Sequence, residues 1–76
     1  MKKVEMLRRL YMEVLNGRSE FRWSDFFKLL APVASHSYTE IVLYELIGRG
    51  VVVKQNRHYT VNLGKLEELL RQYNAI

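Results

Sequence analysis

The sequence predicts an α+β fold that is mostly α. Apolar residues recur at helical spacing in several separate segments. A β-branched run, Val51-Val52-Val53, follows Gly48-Arg49-Gly50 and is answered by His58-Tyr59-Thr60-Val61 across Gln55-Asn56. No repeat, low-complexity tract or linker divides the chain, so residues 1–76 are expected to form a single domain.

The first helix rests on Val4, Leu7, Leu10, Tyr11, Val14 and Leu15, with Lys3, Arg8, Arg9 and Glu13 elsewhere around the cylinder and Asn16-Gly17 as its stop. Glu20-Phe21-Arg22-Trp23 alternates polar and apolar over too few residues for an independent strand, but it suits a short third strand beside the later hairpin. Ser24 is the expected N-cap of the second helix, with Asp25 against its positive end. Phe26, Phe27, Leu29 and Leu30 make that helix strongly apolar, and Pro32 disfavours its continuation through Ala31.

The third helix starts at Ser35 or at Ser37, the latter offering a capping box through Glu40. Gly48-Arg49-Gly50 ends it, because glycine enters the left-handed conformation without a side-chain penalty. A two-residue turn at Gln55-Asn56 pairs Lys54 with Arg57, Val53 with His58 and Val52 with Tyr59. This register places Val52, Tyr59 and Val61 on the core side. Leu63, Leu66, Leu69, Leu70 and Tyr73 form the apolar stripe of a last helix.

Composition narrows the function. Nearly half the residues are apolar and about a quarter are charged, the balance of an ordinary globule. A chain of 76 residues buries only about 60% of its unfolded surface, so a second copy is an expected source of stability. There is no cysteine, hence no disulfide and no thiolate metal site. No stretch approaches the ~20 apolar residues of a membrane span and Met1 to Arg9 is charged throughout, so cytoplasm is the expected location. The net charge is +4 and is uneven. Residues 1–22 hold six bases and three acids, residues 23–50 two and three, residues 51–62 two and none, and residues 63–76 two and two. Positive potential is thus expected near the first helix and the hairpin, where phosphates would be attracted.

The order helix, short strand, helix, turn, helix, hairpin, helix resembles a winged helix-turn-helix domain of bacterial, archaeal or archaeal-virus transcription regulators. Leu43, Leu46, Gly50, Val51 and Val52, with Tyr59 on the returning strand, carry the resemblance. It implies a three-helix helix-turn-helix core, a β-hairpin wing and a C-terminal helix. Helix 37–48 would lie in the major groove of double-stranded DNA, and the wing 51–61 on backbone or minor groove. Thr39, Leu43 and Leu46 would then point inward. His36, Ser37, Tyr38, Ile41 and Tyr44 become candidates for base contact, and Arg22, Lys28, Lys54, Gln55, Asn56 and Arg57 for backbone contact. A homodimer is expected through Leu66, Leu69, Leu70 and Tyr73.

The chain departs from this pattern in one respect: no Lys or Arg occurs between Lys28 and Arg49, whereas Glu40 and Glu45 both fall on the third helix. Readers of guanine commonly present a cation there. A rival reading therefore stands, in which Ile41, Tyr44 and Ile47 dock a protein and the domain is a subunit of a larger assembly. The basic hairpin tip has an ordinary explanation too, as charge that protects an edge strand. Trp23, Phe21, Phe26 and Phe27 fit core packing better than base stacking, because they fall on apolar faces that a small domain needs. His36 and His58 sit on different elements without carboxylates at metal-ligand spacing, and no nucleophile motif or Gly-rich phosphate loop occurs. Neither an enzyme nor a cofactor or metal is expected.

Overall fold

The computed structural model describes residues Met1 to Ile76. Its elements are α1 (Lys2–Leu15), α2 (Trp23–Leu30), α3 (His36–Gly48), β1 (Val52–Gln55), β2 (His58–Val61) and α4 (Leu63–Gln72). Four helices surround one apolar core, and an antiparallel two-stranded hairpin closes one side. No helix is long and apolar enough to cross a membrane.

The helix ends follow local chemistry. In α1, α3 and α4 the residue after the C-cap is left-handed: Gly17 at φ 101°, Gly50 at φ 76° and Asn74 at φ 56°. Each of these helices closes with the same pair of hydrogen bonds. At α3 the Gly50 amide donates to Ile47 O at 3.0 Å and the Val51 amide to Leu46 O at 2.9 Å. This is the Schellman arrangement, which satisfies carbonyls the helix leaves free and sets Val51 against Leu46 in the core. α2 ends differently: Pro32 has no amide to donate, and the Val33 and Ala34 amides both return to Leu30 O.

At the starts, one sequence expectation is corrected and one choice between two is decided. α2 begins at Trp23, not after Ser24; Arg22 is the N-cap, and the Asp25 carboxylate accepts from the Arg22 amide at 2.8 Å. That bond holds the Asp25 carboxyl below its ordinary range, against the opposing effect of desolvation. α3 is capped by Ser35, whose hydroxyl accepts from the Tyr38 amide, and the Ser37 capping box does not form.

The hairpin register is also corrected. Val52 pairs with Val61, Val53 with Thr60, Lys54 with Tyr59 and Gln55 with His58, leaving Asn56 and Arg57 in the turn. Lys54 and Arg57 therefore do not stand opposite one another. The cause is Asn56 at φ 56°: asparagine tolerates the left-handed region better than glutamine, so the turn centres one residue later. The paired positions shift by two, an even number, so Val52, Tyr59 and Val61 keep their common face. The short third strand is reduced to one bridge, in which Phe21 and Tyr59 exchange backbone hydrogen bonds of 2.9 and 2.7 Å.

Met6, Leu7 and Leu10 of α1 pack with Phe26 and Leu30 of α2, Val42, Leu43 and Leu46 of α3, and Leu66, Leu69 and Leu70 of α4. Thr39 is buried among them as expected, whereas Leu15 is exposed. Leu66, Leu69 and Leu70, the expected dimer contact, lie inside the chain's own core; Tyr73 is half-buried beneath Lys3, whose Nζ is 5.6 Å from its ring centroid. The stripe is apolar because α4 must cover α1. Leu66→Ala should cost about 2–5 kcal/mol through the cavity it leaves. The urea midpoint should fall equally at all protein concentrations; a concentration-dependent loss would place Leu66 between copies instead.

Candidate nucleic-acid interface

The outward face of α3 is set by what its other faces bury. Thr39, Val42, Leu43 and Leu46 face the core, which leaves His36, Ser37, Glu40, Ile41 and Tyr44 exposed. Positions 37, 41, 44 and 48 follow helical spacing and form one stripe. Ile41 is 63% exposed and Tyr44 61% exposed, and neither belongs to the core cluster. Tyr38 departs from the expectation: it is half-buried, packs against the core and has Lys2 Nζ 6.0 Å from its ring centroid. Its helical neighbours are Val42 and Glu45, so it belongs to the side facing α1. Ile47 is half-buried as well, which removes one of the three residues of the rival docking surface.

An aromatic chain joins this face to the hairpin. Trp23, at the first turn of α2, lies 5.6 Å from Tyr44 and 5.2 Å from Tyr59 between ring centroids. Its other flank meets Phe27 at 5.6 Å, and Phe27 stacks on His36 at 4.1 Å. Edge-on and offset contacts of this kind favour fixed ring positions. Phe21 and Phe26 are fully buried, whereas Trp23 and Phe27 are only half-buried. The sequence carries no sign of this division, because all four rings satisfy the same apolar pattern.

Charge on α3 is arranged differently from its sequence. Glu45 accepts two hydrogen bonds from Lys3 Nζ, at 2.6 and 2.7 Å, and one from Arg49 Nε at 3.0 Å. The Lys3 ammonium is the main cause holding the Glu45 carboxyl below its ordinary range, with desolvation opposing. Burial pulls the Lys3 ammonium down, but the bonds to Glu45 and Tyr73 outweigh it and its affinity for a proton rises. Arg49 is thus engaged, and Glu45 is neutralised on the α1 side. Glu40 alone remains a free carboxylate on α3.

Arg22, Lys28, Lys54 and Arg57 are all exposed, and none forms an ion pair within the chain. By contrast, Arg18 is held by Glu13 and Asp25 and covers Phe21 at 4.6 Å. Arg22 and Arg57 line one shallow hollow with Phe21, Glu20, Asp25 and His58. His58 Nε2 lies 3.5 Å from Glu20 Oε1 there. Gln55 and Asn56 complete the exposed hairpin tip. No three His, Asp or Glu side chains converge closely enough to hold a metal.

Comparison with protein-family profiles, curated proteins and solved structures gave no match to this chain.

The Lys3–Glu45 pair has a defined pH window. The lowered Glu45 contributes stability above its ordinary value of 4.5 and loses it as pH falls through the folded value. The raised Lys3 contributes below its ordinary 10.5 and loses it as pH rises through its own folded value. Both side chains keep some solvent contact, so the pair is worth no more than about 1 kcal/mol. Glu45→Gln should lower Tm at neutral pH by at most roughly 4–8 °C. The gap between wild type and variant should narrow below pH 4.5 in thermal scans. A gap independent of pH would assign Glu45 a packing role only.

Proposed function

We propose that this chain is a winged helix-turn-helix protein that binds double-stranded DNA with sequence preference and regulates transcription. α3 lies in the major groove, and the hairpin meets the backbone or the minor groove. The observation that carries the reading is where four of the eight Lys and Arg side chains without an ion pair lie, Arg22 and Lys28 beside the aromatic chain that meets α3, and Lys54 and Arg57 at the hairpin tip. Arg22 precedes Trp23, which touches Tyr44 of α3 and Tyr59 of β2, and Lys28 follows Phe27, which stacks on His36. Lys54 and Arg57 belong to the exposed hairpin tip. Phosphate is the ligand such cations suit, since each contact releases condensed counterions.

In this reading His36, Ser37, Ile41 and Tyr44 meet base edges, whereas Tyr38 supports α3 from behind. The engagement of Glu45 by Lys3 and Arg49 removes one of the two carboxylates that would repel the duplex. A homodimer would set two α3 helices about one DNA turn, ~34 Å, apart. Its contact would use a face other than the leucine stripe of α4. The rival protein-docking reading retains Ile41 and Tyr44, which are contiguous and exposed.

Trp23 is the single tryptophan and touches Tyr44 and Tyr59, so its fluorescence reports on this face directly. Titration with random-sequence duplex at two salt concentrations should give saturable quenching and an affinity that falls as salt rises. Lys54→Ala with Arg57→Ala should weaken every sequence alike and flatten the salt slope by ~0.9 for each phosphate no longer neutralised. No saturable binding even at low salt would overturn the reading. An unchanged slope in the double variant would remove the hairpin from it.

A further inference from the structure

The exposed groups of α3 match a narrow set of base edges. α3 carries no cation free to make the paired hydrogen bonds that distinguish guanine: its sequence holds no Lys or Arg, and Arg49 at its C-cap is bonded to Glu45. At the middle of the outward stripe stand Ile41 and the Tyr44 ring, both more than half exposed. Glu40 lies beside Ile41 as the one free carboxylate, an acceptor with no donor of its own. The apolar feature of the major-groove edge is the thymine methyl, and its donors are the amino groups of adenine and cytosine. Both A·T and G·C pairs offer an amino group that Glu40 can accept from, adenine's or cytosine's, so Glu40 does not separate them; only an A·T pair adds a methyl, and that is the feature an apolar side chain can read.

We infer that α3 reads thymine methyl groups, with Ile41 as the principal contact and Tyr44 beside it, so that the chain prefers A·T-rich duplex and discriminates by methyl burial. This rests on the duplex-binding reading above and specifies its target. The surrounding cations contribute affinity without sequence information, so the apolar contact sets the preference. Deleting a buried methyl should weaken binding roughly fourfold, the effect expected for one buried carbon group. Ile41 faces solvent, so shortening it leaves the core intact.

The test uses four short alternating duplexes of equal length: adenine–thymine, adenine–uracil, guanine–cytosine and guanine–5-methylcytosine. Uracil deletes only the methyl, and 5-methylcytosine adds only the methyl. Wild type should bind the thymine duplex at least roughly fourfold more tightly than the uracil duplex, and should gain affinity when cytosine is methylated. Ile41→Ala should lose both differences while keeping the salt slope and the circular dichroism spectrum of wild type. Salt-dependent binding of all four duplexes with no response to the methyl overturns the inference and leaves duplex binding standing. A failure to bind any of the four overturns both.

Discussion

Phe21 exchanges two backbone hydrogen bonds with Tyr59 while its ring stacks on Phe26 at 4.9 Å, and through these contacts the hairpin is held against the start of α2. An isolated two-stranded hairpin is marginal in water, and β1–β2 has only four residues in each strand. The bridge gives β2 a partner on its second edge, and the Phe21 ring ties that partner to the core. Trp23, two residues on, then touches both Tyr59 and Tyr44. The relative placement of tip, α2 start and outward α3 stripe thus depends on a one-residue strand. Arg18 shields this joint from solvent by lying over the Phe21 ring.

Charge and shape are divided between different parts of the molecule. α3 supplies shape, with Ile41 and Tyr44 exposed and Arg49 at its C-cap engaged by Glu45. The segments around it supply charge through Arg22, Lys28, Lys54 and Arg57, none of which forms an ion pair within the chain. In the proposed function this separates affinity, which is electrostatic and salt-dependent, from selectivity, which is steric and apolar. Lys3 serves the division from a distance: by neutralising Glu45 it keeps an acid that the sequence places on α3 away from the field at its outward surface.

Most of the secondary structure is legible in the sequence because it rests on local rules. Apolar spacing marks α1 and α4, an apolar run stopped by Pro32 marks α2, a serine cap and Gly50 bracket α3, and the face shared by Val52, Tyr59 and Val61 follows from alternation. The departures have physical causes. Asn56 takes the first turn position rather than the second, because asparagine there relieves the left-handed backbone. The Ser24 cap fails because Asp25, one residue later, captures the Arg22 amide with a carboxylate. Arg22, Lys28 and the tip residues are exposed as expected, and so are four of the five base-contact candidates. Tyr38 is not among them, because a one-residue step along a helix turns a side chain by about 100° and carries it towards α1. The leucines of α4 cannot be assigned to core or partner from sequence, since both demand the same stripe.

The hairpin tip combines fixed parity with free length. Moving the turn by one residue changes each cross-strand pairing by two positions and leaves every side chain on its original face. The inner surface of the hairpin is therefore insensitive to where the bend falls. A change at the tip that keeps this parity leaves Val52, Tyr59 and Val61, which hold the hairpin to the body, on the face they already occupy.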